Sequence, residues 1–207
     1  MNRIEKTFIN AGIDDHLTII KSQYALEIIK NEAIKTAILI VVFFIIGYIQ
    51  EFILSVIILF PLRFASGGMH LKTNIGCLIF SFAFFILSIL ILPLIEIPIM
   101  VLFSFLSASM ITIIILSPVV SYKRPIKAEG RRASLKRSVI IILSMDSVIV
   151  FILWFSEIHT YFVIGVWVVT LQAIQLLAAW IYRKEKGVEN VAVDQKVEAV
   201  TDWGSRD

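Results

Sequence analysis

The 207-residue sequence contains a single cysteine, Cys77, and only three histidines. One cysteine excludes a disulfide within the chain and any cysteine-rich metal site. Charge is also scarce, because 17% of residues are charged whereas 58% are apolar, and the mean hydropathy is +0.90. This composition excludes an ordinary soluble domain and indicates a membrane protein. We expect no signal peptide, no metal, no cofactor and no nucleic-acid partner.

Long apolar runs predict an all-α, polytopic membrane protein with about six membrane segments. The predicted segments are residues 34–49, 52–64, 77–95, 97–120, 138–156 and 160–182. The second segment would span only about 20 Å of an apolar core of about 30 Å, so it is predicted to be short or re-entrant. We expect one membrane-embedded domain, residues 1–182, and a polar, disordered tail, residues 183–207.

Residues 1–32 predict an amphipathic helix that precedes the first membrane segment. Apolar residues recur there at three- and four-residue steps behind two candidate capping residues, Asp14 and Asp15. Such a helix could pack beneath the membrane domain, or it could lie in the membrane interface and help to dock a substrate. Both interpretations stay open, and they are compatible.

The nineteen Lys and Arg residues form four clusters, and the predicted connections near Glu51, Glu96 and Glu157 contain none. Five lie within residues 3–35, two are Arg63 and Lys72, seven lie in the predicted loop 121–137, and five follow Tyr182. Basic residues concentrate on the cytoplasmic side of membrane proteins. We therefore expect both termini, residues 63–77 and the basic loop on that side. The basic loop could also hold an acidic peptide or anionic lipid.

The stretch 63–77 collects the residue types that cysteine-nucleophile enzymes use. It contains the single cysteine, one histidine, one arginine and a glycine pair: Arg63, Gly67, Gly68, His70 and Cys77. A histidine or a fixed positive charge beside a thiol raises the fraction of reactive thiolate. His70 is therefore the candidate base for Cys77. In the alternative interpretation, Cys77 is inert packing within a membrane helix.

Geometry limits how this stretch can fold if His70 and Cys77 act together. On one straight helix they would lie about 10 Å apart along the axis, which exceeds hydrogen-bond reach. We expect a loop carrying His70 to fold onto the first turn of the helix that carries Cys77. Donors for an oxyanion would be backbone N–H groups at Gly67 and Gly68, or the Arg63 guanidinium. No third catalytic member stands out among Ser66, Asn74 and Asp146.

Asp146 is a further candidate functional residue because it lies about 12 Å inside the fifth predicted segment. Acidic side chains within a membrane are costly and often functional. Asp146 could pair with a base, contact a substrate, or line a cavity with Gln172 and Gln175. It could equally make a polar contact between helices.

The pattern Arg63-x-x-x-Gly67-Gly68-x-His70, followed after six residues by Cys77, resembles the accessory gene regulator B (AgrB) family. These are membrane cysteine endopeptidases of Gram-positive quorum sensing. The later Ser117-Pro118…Lys123-Arg124-Pro125 is similar to the family's Pro…Lys-Pro stretch, with arginine before the second proline. The resemblance covers nearly the whole chain.

The resemblance implies that Cys77 is the nucleophile and His70 the base, with Arg63, Gly67 and Gly68 in support. Lys123, Arg124 and Asp146 become candidate substrate contacts. The implied substrate is a short propeptide of the accessory gene regulator D (AgrD) type, which is cleaved before its acidic tail and cyclised to a thiolactone or lactone.

The resemblance also implies a homodimer in contact with membrane lipid, in the plasma membrane of a Gram-positive bacterium, with its active site on the cytoplasmic side. The competing hypothesis is a non-catalytic membrane protein, either a peptide exporter or a subunit of a signalling complex.

Overall fold

The computed structural model describes residues 16–68, 73–119, 129–156 and 158–203. Within these residues the structure is helical and contains no strand, which confirms the predicted all-α class. The six α-helices are α1 (His16–Ile45), α2 (Ile49–Ser66), α3 (Asn74–Ile86), α4 (Ile99–Leu116), α5 (Glu129–Phe155) and α6 (His159–Trp203). A π-helical turn (Leu87–Ile91) and a 3₁₀ turn (Leu92–Leu94) extend α3.

Helix α1 joins two elements that the sequence predicts separately. Its 30 residues include the end of the predicted amphipathic region and most of the predicted segment 34–49. No proline or glycine interrupts the sequence from His16 to Ile45, so the helix continues through the change from polar to apolar residues. It ends just before Gly47, which has a φ of 83°. Residues 1–15 lie outside the described residues.

Five stretches are long and apolar enough to cross a membrane, and they support the predicted polytopic architecture: Ile49–Ser66, Ile75–Leu94, Ile99–Leu116, Arg132–Phe155 and His159–Tyr182. The second predicted segment, 52–64, lies within the 18-residue helix α2. At about 27 Å by helical rise, α2 has no need of a re-entrant course. Helix α1 is not among the five, and its apolar half still carries Glu32 and Lys35.

Two polar stretches are more helical than the sequence predicts. Helix α5 begins at Glu129, so residues 129–137 of the predicted basic loop form its first turns. Helix α6 continues to Trp203 through most of the tail that we expected to be disordered. Both stretches lack proline and are rich in Ala, Glu, Gln, Lys and Arg, which favour helix.

Helix α6 lies at the centre of the bundle and packs on α2, α4 and α5. Its membrane half is mostly buried, whereas the other crossing helices expose more of their surface. Gly165 permits a close approach, since a Cβ there would lie 3.1 Å from the Val150 side chain and 3.5 Å from Ile58. Helix α6 is thus placed to organise both ends of the bundle.

The two ends of the bundle are marked by different contacts between α6 and α2. At one end, the Tyr161 hydroxyl donates a hydrogen bond of 2.9 Å to the Gln50 side-chain carbonyl. At the other end, α2 stops at Gly67, which forms an isolated parallel bridge with Val119, just after α4. We call these the Tyr161 end and the Gly67 end. The last turn of α2, which carries Arg63, and the start of α5 both lie at the Gly67 end.

Candidate functional site

The Gly67–Gly68 turn ends α2 and faces the chain that leaves α4. The Gly67 N–H donates to the Arg63 carbonyl at 3.0 Å, and the Val119 N–H donates to the Ser66 carbonyl at 3.0 Å. Gly67 has a φ of 84°, in the left-handed region that other residues rarely adopt. A Cβ at Gly67 would also lie far inside the van der Waals radius of the Val119 carbonyl oxygen. A break in the helix at Gly67 is therefore confirmed, and it requires glycine, whereas the expected loop that carries His70 lies outside the described residues.

Gln172 of α6 holds this turn in place from the centre of the bundle. Its side-chain Nε2 donates to Ser66 Oγ at 3.1 Å and to the Gly67 carbonyl at 3.2 Å. Ser66 Oγ donates to the same carbonyl at 3.3 Å. Ser66, a candidate third catalytic residue on sequence grounds, thus serves the turn. Gln172 is fully buried, so these bonds form away from solvent.

Cys77 lies in the first turn of α3, as predicted. Thr73 caps the helix, because its side chain accepts a hydrogen bond of 3.1 Å from the Gly76 N–H. The Cys77 N–H donates to the Thr73 carbonyl at 3.1 Å. The thiol is 7% exposed and faces the partial positive charge of the helix N-terminus. A helix N-terminus is a position where a negative charge on a first-turn side chain is stabilised.

A buried lysine from α1 contacts the thiol, although no pattern in the sequence indicates this contact. Lys35 Nζ lies 3.2 Å from Cys77 Sγ, and Lys35 is 8% exposed. The same ammonium group forms an ion pair with Glu32, one helical turn earlier. In the sequence, Glu32 and Lys35 resemble an ordinary surface pair at i, i+3. Only packing of α1 against α3 reveals that the lysine points at the cysteine.

Arg63 and Gln175 lie beside Gly68. A Cβ on Gly68 would be 3.0 Å from Gln175 Nε2 and 3.7 Å from Arg63 Nε. Arg63 is also within electrostatic range of Cys77 and of Glu32. Gln175 is 4% exposed, and neither of its side-chain polar atoms has a hydrogen-bond partner within the described structure. The structure thus brings Arg63, Gly67, Gly68 and Cys77 to one end of the bundle.

The remaining predicted site residues are His70, Lys123, Arg124 and Asp146. His70, Lys123 and Arg124 lie outside the described residues. Asp146 is buried in α5, and its Oδ2 has no hydrogen-bond partner among the residues that the structure describes. Among all the residues that the structure describes, no three His, Cys, Asp or Glu side chains come together in a way that would hold a metal ion.

These features define a class: an all-α, multi-pass membrane protein with a buried cysteine at a helix N-terminus, beside a glycine turn and two cationic side chains. Comparison with known sequences names the family. The family model for accessory gene regulator B matches residues 2–176, and the chain belongs to this family. A protein of Clostridium beijerinckii described as "Putative AgrB-like protein" is 34% identical over 140 residues.

That match covers 66% of this chain and 65% of the length of the relative. No solved structure matches the chain. The predicted family resemblance is therefore confirmed at the level of sequence.

Proposed function

We propose that this protein is a membrane cysteine endopeptidase that matures a quorum-sensing propeptide of the AgrD type. The observation that carries the proposal is the position of Cys77 Sγ: at the start of α3, buried, and 3.2 Å from an ammonium group. A neighbouring cation and a helix N-terminus both stabilise a thiolate, which is the nucleophilic form of cysteine. Membership of the accessory gene regulator B family supports the same reaction class.

In the first step, the Cys77 thiolate attacks the carbonyl carbon of the peptide bond before the acidic tail of the propeptide. A C–S bond forms, and the carbonyl oxygen becomes an oxyanion. The intermediate collapses, the C–N bond breaks, and His70 delivers to the departing amine the proton that it took from the Cys77 thiol. The propeptide remains attached to Cys77 as a thioester.

The geometry narrows the set of donors for the oxyanion. The Gly67 N–H is already used by the Arg63 carbonyl. The Gly68 N–H and the Arg63 guanidinium are therefore the better candidates, and the buried Gln175 amide lies beside both. Preorganised donors of this kind are worth about 10²–10³ in rate.

In the second step, an internal Cys or Ser of the propeptide attacks the thioester and gives its proton to His70. The C–S bond to Cys77 breaks, Cys77 leaves as a thiolate, and a thiolactone or lactone ring closes. Exchange between two thioesters is nearly level in free energy, so the activation gained in the first step is preserved. Hydrolysis of the thioester would release an unactivated carboxylate, and burial of Cys77 keeps water away from the acyl-enzyme.

The basic residues around the Gly67 end fit a substrate with an acidic tail. We propose that Lys123 and Arg124 contact this tail, that Asp146 contributes to the substrate site, and that the protein acts as a homodimer among membrane lipids. We place the site on the cytoplasmic side of the plasma membrane of a Gram-positive bacterium, where basic segments concentrate. The amphipathic half of α1 is a candidate dock for the propeptide leader.

The test is to incubate the purified protein with its candidate propeptide and to follow both cleavage and the acyl adduct by mass spectrometry. Cys77→Ala should lose the adduct and all cleavage, and His70→Ala should lose about 10²–10⁴ in rate. His159→Ala is the matched control, because this histidine lies at the Tyr161 end and is exposed. Strong cleavage by Cys77→Ala would refute the mechanism and favour the non-catalytic exporter or signalling subunit.

A further inference from the structure

Lys35 is an unusual lysine because its charged group does not reach solvent. Lysines near a membrane surface normally extend the ammonium group toward water. Lys35 is instead 8% exposed, and its Nζ faces a thiol and a carboxylate. A buried charge is costly unless it is paired. Such an arrangement therefore needs either a structural or a chemical reason.

We propose that Lys35 is a catalytic residue of the proposed peptidase, and that its ammonium group stabilises the Cys77 thiolate. The distance of 3.2 Å between Nζ and Sγ is that of a direct interaction between the two groups. Glu32 holds the ammonium group in place from the preceding helical turn and balances its charge. Helix α1 thereby supplies part of a site whose predicted members all lie in the later chain.

The thiolate occurs twice in the proposed reaction, and Lys35 would act both times. It first stabilises the nucleophile that attacks the propeptide carbonyl. Later, the internal nucleophile of the propeptide attacks the thioester, the C–S bond breaks, and its electron pair returns to Cys77 Sγ. A thiolate that is stabilised at 3.2 Å by a cation is the better leaving group. His70 is then needed chiefly to protonate the departing amine.

The test measures the thiol directly, without a propeptide. Cys77 is the only cysteine, so alkylation of the full-length protein by iodoacetamide reports on this group alone. Rates are measured from about pH 6 to about pH 10 for the wild type, Lys35→Met, Lys35→Gln and Lys35→Arg. Lys30→Met is the matched control, because Lys30 is exposed on the same helix.

We expect the pH of half-maximal alkylation to rise by about one unit in Lys35→Met and Lys35→Gln. The rate near pH 7 should then fall about tenfold, while the rates near pH 10 converge with that of the wild type. Lys35→Arg should keep much of the wild-type profile, and Lys30→Met should keep all of it.

Two results would overturn the proposal. One is a profile in either neutral variant that superimposes on that of the wild type. The other is a change by one constant factor at every pH, which would show that Lys35 only shapes access to the thiol.

This inference rests on the proposed function only for its catalytic consequence, so the two can fail separately. A shifted alkylation profile with no acyl adduct on Cys77 would refute the peptidase and also the catalytic role, while it would retain the ion pair. An acyl adduct that forms and turns over at the wild-type rate in Lys35→Met would refute the role of Lys35 and leave the peptidase intact. The alkylation profile and the acyl adduct together thus distinguish failure of the peptidase from failure of the role of Lys35.

Discussion

At Gly67, the absence of a side chain allows the turn after α2 to form against Val119. Gly67 has a φ of 84°, and a Cβ placed on it would clash with the Val119 carbonyl oxygen. Gly47 has almost the same backbone conformation, with a φ of 83°, but nothing lies within 4 Å of a Cβ placed there. The two glycines therefore separate backbone strain from steric contact.

We predict that Gly47→Ala costs about 1 kcal/mol of stability and leaves propeptide cleavage unchanged. Gly67→Ala should cost more, because the new methyl group also displaces the chain at Val119. Displacement of the turn should lower cleavage about 10²-fold, since misplacement by about 1 Å is enough for such a loss. Thermal unfolding in detergent and cleavage rates measure the two effects. Wild-type cleavage by Gly67→Ala would contradict the tight turn.

Site residues that are close together in the sequence can be predicted from it, whereas a residue brought in by helix packing cannot. Gly67, Gly68 and Cys77 share one short stretch, so their spacing alone predicts a turn and a first-turn cysteine. Lys35 is 42 residues from Cys77, and its role depends on how two helices pack. No local pattern carries that information, because a base three residues after a glutamate is common on helix surfaces.

At the scale of helices, α6 forms hydrogen bonds near both ends of α2, and a different residue type of α6 donates at each end. Gln172 donates to Ser66 and Gly67 at the Gly67 end, and Tyr161 donates to Gln50 at the other end. Only the first pair supports the turn beside Cys77. The two contacts thus allow stabilisation of the helix pair to be distinguished from support of the site.

We predict that Gln172→Leu lowers the free energy of unfolding by about 1–3 kcal/mol, since it leaves buried acceptors without their donor. It should also slow cleavage by at least about tenfold through loosening of the turn. Tyr161→Phe removes an exposed hydrogen bond between the same helices, so it should cost less than about 1.5 kcal/mol and leave cleavage intact. Equal cleavage by both variants would show that Gln172 has no special link to the site.

Most helix positions follow from the sequence, and the errors share one cause. The predicted segment 97–120 contains α4 (Ile99–Leu116), and the predicted segment 160–182 lies within α6. The predictions end where hydropathy falls, but the helices continue where no proline interrupts the backbone, and they pass through Gly130 and Gly187. This explains the extra length of α1, of α5 at its start and of α6 at its end.

At the scale of the whole molecule, the helix ends sort into two groups. The Gly67 end holds the turn, Cys77, Lys35 and the start of α5, whereas the Tyr161 end holds the connection at Glu96. Basic residues dominate the first group in sequence. The fold thus agrees with one basic end and one end that is nearly free of bases.

We predict that the Gly67 end faces the cytoplasm. In a Cys77→Ala background, Glu96→Cys should react in intact cells with a thiol reagent that does not cross membranes, because Glu96 is exposed at the opposite end. Gly130→Cys should react only after the cells are opened. External labelling of residue 130 would reverse the topology and with it the proposed side of the active site.

The bonds from Gln172 to Ser66 and Gly67 link the last membrane helix to a turn made 105 residues earlier. A ribosome therefore inserts Lys35, Gly67 and Cys77 into the membrane well before it completes the residue that holds the turn. Until α6 has entered, the nascent protein has its thiol and Lys35, but not the hydrogen bonds from Gln172 that hold the Gly67 turn. The order of synthesis therefore delays complete assembly of the Gly67 turn until α6 has entered the membrane.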